Sequence, residues 1–106
     1  MIAMAWLVNE RGRVLGTLDA AGPVIWHTED SHGLLISTPI ALWSGLGELG
    51  DALALALDRN GLVRSTVRLH PWRPRLVVAP WRIVVLPRAL WHDAPPSAGD
   101  RLEVRR

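Results

Sequence analysis

The sequence predicts a mainly β fold, in the form of a small barrel-like or folded-over antiparallel or mixed sheet with one or two short helical turns. Apolar and polar residues alternate over short runs, Gly, Pro and Asn interrupt these runs, and an Asn-Gly pair joins two of them. With 49% hydrophobic and 21% charged residues, the chain is too apolar to be disordered. Its 106 residues suit one domain over positions 1–106.

The first third of the chain is predicted to form short strands joined by turns. Residues 6–8 and 14–18 form a hairpin around Gly12, which can adopt the positive φ of a tight turn without a Cβ penalty. Residues 24–27 and 34–37 are two further extended segments separated by a polar break.

The apolar first eight residues are interpreted as the first strand and not as a signal peptide, because the run is short and lacks a basic flank. No run of about 18 apolar residues exists, so no membrane span is expected. The default expectation is a cytoplasmic location.

Residues 38–50 are predicted to form an irregular loop, with a short helix as the alternative. Gly45, Gly47 and Gly50 argue against a long helix, since glycine costs about 1 kcal/mol relative to alanine in a helix interior. The spacing of these glycines, Gly-x-Gly-x-x-Gly, is that of the dinucleotide-binding fingerprint. That motif needs a strand before it and a helix after it, so a flexible loop is the favoured interpretation.

Residues 52–69 are predicted to form a hairpin. Ala and Leu alternate strictly over 52–57, and Asn60-Gly61 follows as a strong hairpin signal. The leucines are expected to face the core and the alanines the outside. In the returning strand, residues 63, 65, 67 and 69 are expected on one face, opposite a solvent-facing set at 64, 66 and 68.

The last third continues the pattern of short strands. Residues 70–74 form a rigid turn, because Pro71 and Pro74 fix their own φ and lack backbone donors. Strands are predicted over 76–78 and 82–86. A helical turn over 88–91, a loop over 93–100 and a final strand over 101–104 complete the prediction.

Four blocks of this half resemble the bacterial domain of unknown function 192 family (DUF 192). They lie at residues 57–61, 70–73, 85–89 and 99–102, in the order and approximate spacing of the family. The resemblance implies a small, mainly β domain with no established reaction. It also suggests a protein partner in a bacterial envelope or secretion system.

The chain lacks most of the polar residues that form a cluster in members of the family. The usual His-Thr-Phe-Gly-Met stretch falls on residues 44–48, where Gly47 alone matches, and the family's aspartate falls on Leu53. The resemblance therefore implies that any ligand role of this stretch has been lost or changed here.

Charge is unevenly distributed along the chain. Residues 1–58 carry two arginines against seven acidic residues, and residues 59–106 carry ten arginines against three. Such asymmetry is compatible with a nucleic-acid or membrane surface. It is equally compatible with pairing of the two halves within one fold, which we favour together with solvated arginines. A nucleic-acid partner is therefore not expected.

No arrangement of residues points to catalysis, a metal or a cofactor. The absence of Cys excludes disulfides, thiol catalysis and Cys-based metal sites. His27, Glu29, Asp30 and His32 include metal-ligating types, but their spacing fits no zinc pattern, and a solvated polar turn is favoured. Asp30, Ser31 and His32 are adjacent, whereas the members of a catalytic triad come from distant segments.

The strongest candidate for a binding surface combines arginine with tryptophan, which can grip anions and stack on planar groups. Its residues are His70, Trp72, Arg73, Arg75 and Arg82. A structural role for this turn is the alternative. Structural turn positions are predicted at Asp58, Gly61, Pro71, Gly99 and Asp100. Four other tryptophans, at positions 6, 26, 43 and 91, are predicted to be core residues.

The sequence therefore favours a non-enzymatic binding or interaction module. The alternative is a small-ligand-binding or enzymatic domain with a pocket between the 43–51 loop and the 70–75 turn.

Overall fold

The computed structural model describes residues 4–26, 32–45, 51–91 and 95–105, and it confirms the mainly β prediction. The strands are β1 (Met4–Asn9), β2 (Val14–Ala21), β3 (Val24–Ile25), β4 (His32–Ile36), β5 (Ile40–Trp43), β6 (Ala52–Leu57), β7 (Val63–Leu69), β8 (Arg75–Val78), β9 (Arg82–Pro87) and β10 (Leu102–Arg105). A short 3₁₀ helix over Arg88–Leu90 confirms the expected helical turn.

The strands form two sheets of mixed direction. The large sheet has the order β10-β1-β2-β4-β9-β6-β7, and only its β2–β4 pair is parallel. The small sheet has the order β3-β5-β8, with β3 parallel and β8 antiparallel to β5. The hairpin predicted over residues 52–69 is confirmed as the antiparallel β6–β7 pair.

The large sheet curls until its two edges meet at one end. Val63 N donates to Asp100 O at 2.8 Å, and Gly99 N donates to Val63 O at 2.9 Å. Leu102 N donates to Gly61 O at 2.8 Å. Because these bonds connect the start of β7 with the start of β10, they convert the open sheet into a partial barrel.

Two apolar cores lie on opposite faces of the large sheet. The first fills the inside of the curl and includes Leu7, Leu18, Leu55, Val84 and Leu86. The second lies between the large and small sheets and includes Ile36, Trp43, Ala54, Val77, Ile83 and Val85.

Strand β6 contributes to both cores, which corrects one prediction. Leu55 and Leu57 face the inside of the curl, as expected. The alanines at 52, 54 and 56 are also buried, instead of facing the outside, because the small sheet covers them. Alanine leaves room on this face for the bulky side chain of Trp43.

A β-bulge corrects the predicted faces of β7. Leu57 pairs with Val63, but Ala56 pairs with Ser65, so residue 64 is an extra residue in the ladder. The side chain of Val63 consequently joins the core inside the curl, whereas Val67 and Leu69 pack between the sheets. Ser65 is exposed.

The irregular loop or short helix predicted over 38–50 is wrong for residues 40–43, which form β5. This strand is the centre of the small sheet and is paired on both sides. The pairing partners lie about 20 and 35 residues away in sequence, so local propensity could not reveal it. Gly47 and Gly50 lie outside the described residues.

Two of the tryptophans predicted to be core residues are exposed. Trp43 is completely buried and Trp91 is partly buried, but Trp6 is 44% exposed and Trp26 is 63% exposed. Among the described residues, no helix has the length and apolar character needed to cross a membrane.

Candidate functional site

The turn over residues 70–74 connects β7, at the edge of the large sheet, with β8 of the small sheet. Its tip is Trp72, which has a φ of 64° and a side chain that is 71% exposed. The left-handed region costs a non-glycine residue about 1–2 kcal/mol. Trp72 is therefore held in a backbone conformation that its own side chain disfavours.

Contacts from the small sheet brace this turn. Trp43 Nε1 donates a 2.9 Å hydrogen bond to the carbonyl oxygen of His70. Gly45, which follows β5, lies so close to the turn that a Cβ there would stand 2.6 Å from the carbonyl carbon of Arg73. The two prolines add fixed φ angles. Contacts at His70 before Trp72 and at Arg73 and Pro74 after it therefore fix the backbone conformation of Trp72.

Asp51 links the turn to the 3₁₀ helix. Its Oδ1 lies 3.5 Å from Nδ1 of His70, and its Oδ2 lies 3.5 Å from a guanidinium nitrogen of Arg88. The Asp51 carbonyl also accepts a hydrogen bond from Arg88 N at 3.2 Å. Since these side chains are partly or largely exposed, the two contacts of Asp51 contribute orientation more than stability.

The structure divides the predicted arginine and tryptophan set between two places. Arg73 and Arg75 are exposed and follow Trp72 closely in the chain. Arg82 instead pairs with Leu57 at the other end of β6, and its guanidinium lies 3.8 Å from the ring centroid of Trp81. Six residues of strand separate the two ends by roughly 17 Å. Arg82 is therefore not part of the surface around Trp72.

The predicted turn positions Asp58 and Gly61 lie together in the β6–β7 connection. Asp58 Oδ1 accepts hydrogen bonds from the amides of Asn60 at 2.9 Å and Leu62 at 3.1 Å. Gly61 has a φ of 81°, and a Cβ there would collide with the carbonyl oxygen of Leu102. These contacts shape the turn and bring β10 against it.

The remaining turn positions have comparable local roles. Asp100 Oδ2 accepts a 2.9 Å hydrogen bond from Ser97 N, and Gly99 has a φ of 98°. Pro71 directly precedes Trp72 in the braced turn.

His32 is the one member of the predicted polar cluster that falls within the described residues. Its Nδ1 lies 3.1 Å from Thr17 Oγ1 and 3.7 Å from Asp19 Oδ2, across the parallel β2–β4 pair. His27, Glu29, Asp30 and Ser31 lie outside the described residues. Within the described part of the chain, no three His, Asp or Glu residues converge as metal ligands.

The pocket predicted between the 43–51 loop and the 70–75 turn falls partly on residues 46–50, which are not described. In the described part, Gly45 is packed directly against Arg73 and Pro74. A polar groove of about 690 Å³ lies elsewhere, between the 9–12 turn and the start of β10.

One surface was missed by the sequence analysis: the side of the small sheet that faces away from the large sheet, called here the outer face. It consists of exposed apolar side chains at alternate positions along the three strands, together with Trp26 directly after β3: Val24, Trp26, Ile40, Leu42, Leu76 and Val78. Val24 pairs with Leu42, and Leu42 pairs with Leu76. The intervening residues Ile25, Ala41 and Val77 are buried against the large sheet.

No family model matches the chain, and no curated protein matches it. Two crystal structures resemble its fold. A proposed transcription regulator from Sinorhizobium meliloti 1021 matches with a TM-score of 0.67 and 16% identity, over 98% of this chain and 94% of that chain. A protein of unknown function from Novosphingobium aromaticivorans DSM 12444 matches with a TM-score of 0.63 and 12% identity, over 96% of this chain and 84% of that chain. At these identities the likeness establishes the fold, a small mainly β architecture.

Proposed function

We propose that this protein is a non-enzymatic interaction module, and that Trp72 on the braced 70–74 turn is the anchor of its contact surface. Arg73 and Arg75, one and three residues after Trp72, supply exposed positive charge. His70 holds the base of the turn through its contacts with Trp43 and Asp51.

The observation that carries this proposal is the conformation of Trp72. An exposed tryptophan with a φ of 64° gains little from burial and carries a backbone cost in the free protein. Strained residues of this kind persist where the surrounding structure over-determines them, and they concentrate at binding and switch regions. Tryptophan and arginine are also the residue types enriched among the dominant contacts of protein interfaces.

The chemistry of the turn favours a protein partner with an apolar pocket bordered by acidic side chains. A rigid indole fills such a pocket at little conformational cost, and the two guanidinium groups can pair with carboxylates. Nucleic acid is a poorer fit, because binding along a phosphate backbone uses a basic groove with several stacking residues. Arg82 and Trp81, which could extend such a groove, lie at the far end of β6.

Capture experiments from a bacterial lysate test the proposal. Wild type should retain a specific protein that is lost with Trp72→Gly and weakened at least tenfold with Arg73→Ala/Arg75→Ala. Arg11→Ala/Arg13→Ala is the matched control, since it removes two exposed arginines from a different turn. If wild type and Trp72→Gly retained the same proteins, the proposal would be contradicted.

We also propose kinship with the DUF 192 family. The matched blocks fall at chain reversals and strand ends: the Asp58–Gly61 connection, the 70–74 turn, the end of β9 at Pro87, and the turn before β10. An alignment of sequences related to this chain tests the kinship. Asp and Gly should recur at positions 58, 61, 99 and 100. An alignment in which these positions vary freely would remove the support.

A cytoplasmic location is the third part of the proposal. Residues 4–8 of the apolar N-terminal run belong to β1, which pairs with β2 on one side and with β10 on the other. Cell fractionation of the native bacterium should recover the intact chain with cytoplasmic markers. Recovery with periplasmic markers would contradict this location.

A further inference from the structure

The outer face of the small sheet has an unusual composition for an exposed surface. Its six side chains are 40–63% exposed, and all six are uncharged and apolar. The arginine of β8 does not interrupt it, because Arg75 pairs with Trp43, whose side chain points to the inner side of the sheet. A sheet with one solvated face normally carries polar residues there.

The extent of this face approaches what a stable dimer needs. A whole tryptophan has a surface area of about 250 Å², and the aliphatic residues have less. Multiplied by the exposed fractions, these areas give the six side chains a combined exposed surface of roughly 600 Å². That is the upper end of the largest apolar patch of a typical monomer. A standard interface takes about 800 Å² from each partner. The exposed prolines at 23, 39 and 80 border the face and can supply the rim.

From these observations we propose that the outer face is the interface of a homodimer, in which two copies of the chain stack their small sheets face to face. This association uses a different surface from the Trp72 turn and does not depend on the function proposed above. A second copy is the partner that fits best, because an uncharged apolar face presents no charge that would repel its own counterpart. A membrane surface would be recognised by basic residues among the apolar ones.

The geometry of the sheet suggests how the two copies are arranged. Strand β5 lies in the middle of the small sheet, and Leu42 is central on its outer side. Most homodimers have a two-fold axis, so that the same patch is used by both subunits. With the axis along β5, Leu42 lies against its own counterpart, and the β3 edge with Trp26 lies over the β8 edge of the second copy.

Sedimentation analysis of the whole chain tests the proposal. At about 100 μM, a concentration at which an interface with a Kd of about 1 μM or tighter is largely formed, wild type should have twice the 11.7 kDa chain mass. Leu42→Glu should have the mass of one chain, because two carboxylates would face each other at the centre of the interface. Val14→Glu is the matched control on an apolar residue of β2 that is 51% exposed, against 41% for Leu42, and it should remain dimeric.

Cross-linking provides a test that does not depend on the tolerance of Leu42→Glu. The chain has no cysteine, so Leu42→Cys and Val14→Cys each carry a single thiol. Stacked sheets lie about 10 Å apart, which suits a short bis-maleimide and is too far for a disulfide. The Leu42→Cys protein should be linked into a dimer in high yield, and the Val14→Cys protein should not.

Several results would overturn the dimer. They are a wild type of single-chain mass at this concentration, a dimer that survives Leu42→Glu, or equal cross-linking at both cysteine positions. A monomer that sediments with phosphatidylglycerol vesicles would assign the outer face to a membrane instead. Trp72→Gly should leave the dimer intact, so the outcome here is separable from that of the capture experiment.

Discussion

Trp72 is the residue whose backbone and side chain are in clearest conflict. Glycine adopts a φ of 64°, the value at Trp72, without steric cost, whereas alanine and tryptophan adopt it only with a clash between Cβ and the backbone. We expect Trp72→Gly to be more stable than Trp72→Ala by about 1 kcal/mol, after the greater unfolded-state entropy of glycine is included. Urea unfolding of both variants measures the difference. Equal stabilities would show that the turn does not strain this position.

Asp58 shapes the β6–β7 connection through one carboxylate oxygen. Asp58→Ala removes the acceptor of two backbone amides and should lower the free energy of unfolding by about 1–3 kcal/mol. Asp58→Asn keeps an oxygen at the same place and should lose clearly less. Thermal or urea unfolding distinguishes the two. A similar loss for both substitutions would mean that charge, and not the hydrogen bonds, matters at this turn.

For single residues, the sequence predicts those backbone conformations that the residue and its chain neighbours impose. Asn60-Gly61 predicts a reversal because glycine provides a positive φ, and the structure contains that reversal. The sequence could not show that Trp26 is exposed while Trp43 is buried. Both are large apolar residues at the end of a short strand or directly after one, and their burial depends on which face another sheet covers.

At the level of elements, β6 combines leucines and alanines on two buried faces. Leu55→Ala should cost about 2–5 kcal/mol, because it leaves a cavity inside the curl. Ala54→Leu should cost about 1–3 kcal/mol, because the small sheet leaves no room for a larger side chain. Urea unfolding checks both values. If Ala54→Leu changed stability by less than about 0.5 kcal/mol, the alanine face would not be packed as described.

Strand β5 shows why the small sheet was not predicted. Its four residues follow Pro39 and precede Gly45, so local signals favoured an irregular segment. Its hydrogen bonds go to β3 and β8, which are distant in sequence. The apolar residues of β5 and β8 therefore reveal an outer face only when the three strands are assembled.

For the whole molecule, closure of the large sheet depends on Gly61. A Cβ at this position would collide with the backbone of β10 and would also force a positive φ on a non-glycine residue. We expect Gly61→Ala to cost more than about 3 kcal/mol, adding steric displacement to backbone strain, and to expose the Leu102 amide to rapid hydrogen exchange.

Gly99→Ala separates these two effects. Its φ of 98° imposes comparable strain, but within the described part of the chain a Cβ there would have no atom within 4 Å apart from its chain neighbours. The loss should be about 1–2 kcal/mol, with the amide of Leu102 still protected. Equal costs for the two substitutions would mean that close approach of β10 is unimportant for stability.

Sequence alone determined the fold class, the β6–β7 hairpin, the rigid 70–74 turn and the absence of any thiol chemistry. Each of these follows from residue types and spacings within a few positions of one another. Tertiary structure decided which apolar faces were covered, because a second sheet buries the alanines of β6 and leaves the other side of β5 exposed. It also separated Arg82 from Trp72, since two turns close in sequence lie at opposite ends of a paired strand.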